Sequence, residues 1–299
     1  MASFDQTTRA KTFLASAEKT LNKFSFFGSG SKYEDAAELF QKAGNCFKVS
    51  QAFQDAGDAY VKAAELFENK LSSSHEASAA LMNAGNCYKS VNPPAAIQAF
   101  RSAIGHWTEA GRFNQAAKMT KEIAEMYESD GNVGEAIENY HQAATFFETE
   151  NSKSQGNACQ AKVAELCSAA LDPPDLKRAA DIYERLGRAC LDSALIKYNA
   201  KGHFVCCIFC LLALGDSVAA RMKLDSFGAA DFSFLDSREG KLCTELIQAC
   251  DDFDPDSLAT ACFEFDRVSK LDAWKTNILV KIKRAIADTG GDDEEVDLS

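Results

Sequence analysis

The chain has 299 residues, and 32 Lys and Arg against 44 Asp and Glu give a formal charge of −12. With 46% hydrophobic and 25% charged residues it is long and apolar enough to bury a sizeable core, which excludes disorder throughout. Six acids without a base, Asp288, Asp292, Asp293, Glu294, Glu295 and Asp297, fall in the last twelve residues, so the body is only mildly acidic and no nucleic-acid partner is expected of it.

The N-terminus carries Asp5 and Glu18 and no unbroken apolar run behind its basic residues, so it does not read as a secretory signal, and the same acids argue against a mitochondrial leader. A first helix is predicted near 5–23, with Phe13, Leu14, Ala17 and Leu21 on one face. A Ser/Gly-rich loop over 24–31 follows. It holds Phe24, Phe26 and Phe27, either as a staple onto the next helix or as exposed aromatics for a membrane interface. Its Gly28–Lys32 stretch lacks the GxxxxGK[ST] spacing of a phosphate loop.

A repeat near forty residues then begins. Ala43-Gly-Asn-Cys-Phe-Lys48 returns as Ala84-Gly-Asn-Cys-Tyr-Lys89, an offset of 41. Ala56 with Tyr60, Ala96 with Phe100, Ala136 with Tyr140 and Ala179 with Tyr183 recur at offsets of 40, 40 and 43. A degenerate fifth copy starts at Ala219, with Lys223 in the aromatic position. Each period holds two helices, A and B. Ala37, Leu39, Phe40, Ala43 and Phe47 mark the first A face, and Ala59, Tyr60, Ala63, Ala64 and Phe67 the first B face. Pro93-Pro94 and Pro173-Pro174 fall just before B helices, where proline costs no hydrogen bond. Small residues let neighbouring helices approach and the aromatic fills the next groove, the packing logic of helical solenoids. The expected fold is therefore all-α, a TPR-like α-solenoid of helical hairpins over 1–236. It is followed by a C-terminal bundle of three helices over 237–289 and an acidic tail over 290–299. Pro255 and the Ser269–Asp272 stretch separate the three helices, and Gly290-Gly291 stop the last.

The longest strongly apolar run, Phe204 to Leu214, has eleven residues, short of the ~20 that cross a bilayer. The eleven cysteines sit among Ala, Leu and Phe at helical spacing, as reduced core thiols in the cytosol do. His203, Cys207 and Cys210 share one helix face with Cys206 beside them, but one straight helix does not close a tetrahedral zinc site, so they read as core. No HExxH or GxSxG motif is present, the carboxylates are scattered, and neither an enzyme, a cofactor nor a metal is expected. Basic residues on successive A helices, Arg112, Lys118, Lys162, Lys197 and Lys201, are either solvated charge or a positive stripe on the concave face. The tail string Glu294-Glu-Val-Asp297 is followed by Leu298-Ser299, so Asp297 carries no free terminal carboxylate.

Several long segments resemble the soluble NSF attachment proteins, the alpha and beta types most closely. They are Ala110–Lys118 (AGRFNQAAK), Leu195–Lys201 (LIKYNAK), Asp236–Leu242 (DSREGKL), and Leu271-Asp-Ala-Trp through Lys281-Ile-Lys-Arg284 to the acidic end. The resemblance implies a non-enzymatic adaptor that binds assembled SNARE complexes and recruits and stimulates the NSF ATPase for their disassembly, supporting vesicle fusion and intracellular membrane traffic. It implies that Arg112, Lys118, Lys162, Lys197 and Lys201 meet the acidic SNARE four-helix bundle, of syntaxin-type and other SNAREs. Ala158 stands where the family often has another Lys. It further implies that the loop with Phe24, Phe26 and Phe27 attaches to membranes. Asp216, Asp292, Asp293, Glu294, Glu295, Asp297 and Leu298 would contact the NSF-type AAA+ hexamer. A cytoplasmic protein, peripheral on membranes, follows. The competing expectation is a generic TPR-like scaffold that binds peptide tails of chaperones through a carboxylate clamp.

Overall fold

A computed structural model describes residues 2–22 and 29–291, and among these the chain is helical, with fourteen α-helices, one 3-10 turn and no strand. The chain divides into two compact units, Met1–Gly156 and Asn157–Ser299, with the boundary inside one helix. Segment 237–289 thus shares the second unit with the helices just before it.

The first unit contains α1 (Ala2–Asn22), α2 (Ser29–Val49), α3 (Phe53–Asn69), α4 (Ser74–Tyr88), α5 (Pro93–Glu109), α6 (Phe113–Ser129), α7 (Val133–Thr149) and the start of α8 (Lys153–Ala169). From α1 to α7 each helix packs against the next in sequence, the pattern expected of stacked hairpins. The first helix begins earlier than sequence periodicity suggests, and the loop expected over 24–31 gives way to α2 at Ser29. The turns are built from local chemistry. Asn92 accepts the Ala95 amide at 3.3 Å and places Pro93 and Pro94 in the first turn of α5, where they lack only amides that the helix would leave unpaired. Gly111 and Gly131 close α5 and α6 with φ of +68° and +76°, a backbone state that favours glycine.

The repeated Ala-Gly-Asn motif has a stereochemical cause. A Cβ on Gly44 would stand 3.0 Å from the Tyr60 ring, and one on Gly85 would stand 2.3 Å from the ring of Phe100, which is wholly buried. The first two A helices, α2 and α4, therefore each present a bare backbone patch on which the next B-helix aromatic lies. The Tyr60 hydroxyl donates to Asn45 Oδ1 at 2.6 Å, so the asparagine beside the glycine satisfies the buried phenol. Burial pushes the Tyr60 phenol up to about 12.

The second unit contains the rest of α8, α9 (Leu176–Leu191), the 3-10 turn Lys197–Asn199, α10 (Ala200–Ala213), α11 (Ser217–Ala230), α12 (Arg238–Asp251), α13 (Pro255–Asp266) and α14 (Ala273–Gly291). Its centre is α10, which packs against α9, α11, α12 and α14. Phe204, Val205, Cys207, Ile208, Phe209, Cys210, Leu211 and Leu212 are all buried there, as a helix apolar on every side requires. The degenerate fifth copy is explained here. Lys223 pairs with Glu184, and the aromatic duty passes to Phe227, whose ring stacks on Phe204 at 4.0 Å. Near the start of α14, Trp274 Nε1 donates to Ser168 Oγ on α8 at 2.9 Å and the indole meets Tyr183 of α9 edge-on at 5.5 Å. The α14 helix runs through Gly290 and Gly291 rather than stopping before them.

Candidate functional site

Of the basic residues singled out in the sequence, Lys118 lies in the second turn of α6, Lys201 in the first turn of α10 and Lys162 in the middle of α8, and two others are outside the α-helices themselves. Arg112 is the residue before α6, and Lys197 opens the 3-10 turn ahead of α10; both are exposed. The Arg112 amide donates to Trp107 O at 2.7 Å, which fixes the turn. Its guanidinium lies 3.0 Å from His75 Nδ1. Lys118 is exposed on α6, and no carboxylate among the described residues pairs with it. Arg112 and Lys118 belong to the first unit, whereas Lys162, Lys197 and Lys201 belong to the second. Lys162 lies 3.5 Å from Glu165 on the same helix and keeps 38% of its side chain exposed, so this ion pair is screened and weak.

Lys197 and Lys201 converge on one feature. Lys201 Nζ donates to Ser233 O at 3.1 Å, tying α10 to the turn after α11. Asp231 in that turn accepts the Ser233 amide at 3.1 Å and hydroxyl at 2.9 Å. Its burial works to raise the pKa. The Ser233 hydrogen bonds and the charges of Lys197 and Lys201 outweigh that and hold the carboxyl below its ordinary value. Around these cations Leu195 is 86%, Tyr198 74% and Phe232 88% exposed. Sequence reasoning did not single out these three for exposure. The local signal was available: apolar side chains in a segment too short and too charged to form a helix face. The result is a surface that offers cations and uncovered apolar side chains together.

Asp216 is exposed, and its carboxylate accepts the Ala219 amide at 2.8 Å, capping α11. The cap leaves acceptor sites on the carboxylate for an outside donor. Phe24, Phe26 and Phe27, like Asp292, Asp293, Glu294, Glu295, Asp297 and Leu298, lie outside the described residues.

His203 and the neighbouring thiols behave as core. Burial lowers the His203 pKa, and the ring stacks on Tyr183 at 6.3 Å. Burial pushes Cys206 and Cys207 up to about 12, so neither is poised as a thiolate. Among the described residues no group of three or more His, Cys, Asp or Glu is placed to hold a metal ion, and no helix is long and apolar enough to cross a membrane. Seven of the eleven cysteines are buried; Cys46, Cys206, Cys250 and Cys262 are only partly so.

Comparison with known proteins places this arrangement. The alpha-soluble NSF attachment protein of Vitis vinifera is 39% identical over 282 residues, covering 94% of this chain and 96% of the relative. That of Mus musculus is 38% identical over 296 residues, covering 96% and 97%. The vesicular-fusion protein SEC17 of Komagataella phaffii is 33% identical over 289 residues, covering 94% and 97%. A family model described as "Soluble NSF attachment protein, SNAP" matches residues 8–287, which takes in both units from the first helix to the last, and the chain belongs to that family.

Proposed function

We propose that the chain is an adaptor that binds assembled SNARE complexes and recruits and stimulates an NSF-type ATPase for their disassembly, in support of vesicle fusion. The observation that carries this reading is the family match over 8–287, joined to relatives named for NSF attachment and for vesicular fusion. Arg112, Lys118, Lys162, Lys197 and Lys201 hold the acidic surface of the SNARE four-helix bundle, with Leu195 and Tyr198 adding apolar contact beside Lys197. The exposure of Arg112, Lys118, Lys197, Leu195 and Tyr198 supports the assignment, with Lys162 and Lys201 half-buried beside them. Ala158, in place of another lysine, leaves Lys162 to act without a basic neighbour one turn before it. Asp216, the tail acids Asp292, Asp293, Glu294, Glu295 and Asp297, and the apolar Leu298 engage basic N-terminal domains of the hexamer. Phe24, Phe26 and Phe27 add a membrane contact that raises the effective concentration of the adaptor at its substrate. The protein thus works at the cytoplasmic face of membranes, held there peripherally, and carries out no chemistry of its own.

The generic peptide-binding scaffold needs a pocket of free Lys, Arg and Asn side chains. Two grooves of the first unit, about 860 and 780 Å³, do not supply it. Lys89 is committed to Glu122, and Arg101 lies 3.3 Å from the Tyr127 hydroxyl and 3.5 Å from Glu135. The test is charge reversal: Lys118→Glu with Lys162→Glu should cut capture of assembled SNARE bundles about tenfold or more, as two lost charge contacts imply, with an unchanged circular dichroism spectrum. Unchanged capture would remove these lysines from the contact.

A further inference from the structure

One pair of cations in the first unit is not accounted for by the SNARE or ATPase contacts. Lys32, in the first turn of α2, and Lys70, the residue that ends α3, converge on the ring of Tyr33. Their ammonium nitrogens lie 5.0 and 5.9 Å from its centroid. Lys32 Nζ also donates to Leu21 O, the last turn of α1, at 3.3 Å. The end of α1, the start of α2 and the end of α3 therefore meet at one edge of the unit. Asn22 and Ser29, between which residues 23–28 run, lie at that edge.

The charge there is uncompensated. Several lysines of the chain are matched locally, as in Lys42–Glu38 at 3.0 Å, Lys121–Glu125 at 2.7 Å and Lys177–Asp181 at 2.6 Å, whereas this pair, like Lys118, is not. No carboxylate among the described residues pairs with Lys32 or Lys70. Glu68, two residues before Lys70, lies 3.9 Å from His106 Nε2 instead. A tyrosine ring attracts an ammonium through its quadrupole but carries no net charge, so two like charges gathered on one ring still attract an anion. With both nitrogens within 6 Å of one ring centroid, they stand no more than about 11 Å apart.

We propose that Lys32 and Lys70, held over Tyr33, form a headgroup site for anionic phospholipid at the edge from which the aromatic segment departs. The proposal rests on the membrane reading of Phe24, Phe26 and Phe27 and adds selectivity to it. The aromatics supply insertion that is indifferent to headgroup charge, and the lysines supply preference for an acidic leaflet. A lysine at an anionic membrane surface strengthens binding about fivefold, and the gain fades as salt screens the surface potential.

Flotation of the full chain with vesicles of phosphatidylcholine alone, and of phosphatidylcholine mixed with phosphatidylserine, tests this. Lys32→Gln with Lys70→Gln should bind the mixed vesicles about tenfold or more weakly while binding the neutral vesicles as before, since only the charge contribution is removed. Retention of the full serine-lipid preference by that variant overturns the proposal. So does abolition of the preference by millimolar inorganic phosphate at constant ionic strength, which would mark a site for free phosphate. Phe26→Ser with Phe27→Ser, tested in parallel, should lose binding to the neutral vesicles. If it does not, the aromatic reading fails independently of the lysines. Unchanged thermal unfolding of both variants shows that the fold is intact.

Discussion

Gly85 and Gly105 show how the same residue type carries opposite energetics one helix apart. An alanine Cβ at 85 would press into the buried Phe100 ring, whereas at 105, inside α5, it would meet nothing within 4 Å. Overpacking a core costs about 1–3 kcal/mol, and replacing an interior helical glycine by alanine gains about 1 kcal/mol. Gly85→Ala should therefore destabilise and Gly105→Ala should stabilise by roughly that gain, read from denaturant midpoints at constant m-value. Two stabilised variants would mean that the Phe100 ring can yield. The recurrence of Ala-Gly-Asn at an offset of 41 made the importance of position 85 legible in the sequence, because a repeated glycine before a repeated aromatic implies close approach. Arg112 and Lys197 were less legible. Both are basic residues beside helix starts, and propensity alone does not separate the last turn residue from the first helical one.

At the level of elements, α14 is the one whose attachment sequence periodicity could not foresee. Its register with α10 is a contact between segments far apart in the chain, and no local pattern encodes that pairing. The same holds for its contact with α8, where Trp274 bonds Ser168, 106 residues away. Trp274→Phe keeps a ring against Tyr183 but removes the indole donor, and should lower stability by about 1 kcal/mol, the usual worth of one such bond. Circular dichroism across a urea series is the suitable probe, since the substitution also removes a fluorophore; an unshifted midpoint would show that Ser168 is satisfied without the indole. The fifth hairpin teaches the complementary lesson. Lys223 at the aromatic position looked like decay of the repeat, yet the stack on Phe204 persists through Phe227, four residues and about one turn later.

For the whole molecule, the net charge of −12 conceals its division of labour. On the proposed function, exposed and half-buried cations of α6, α8 and the start of α10 would meet an acidic partner, and acids collected near the C-terminus would meet one that is basic. Charge contacts outside a dry core are screened over about 8 Å at physiological salt, so both contacts should weaken together as salt rises. The central claim is that this chain is the obligatory link between the two partners. The most direct measurement is ATP-driven disassembly of a preassembled SNARE four-helix complex by an NSF-type hexamer, with and without the chain. Disassembly should require the chain. Leu298→Ala should depress ATP turnover more than it depresses assembly of the ternary complex. Disassembly at the same rate without the chain would contradict the account.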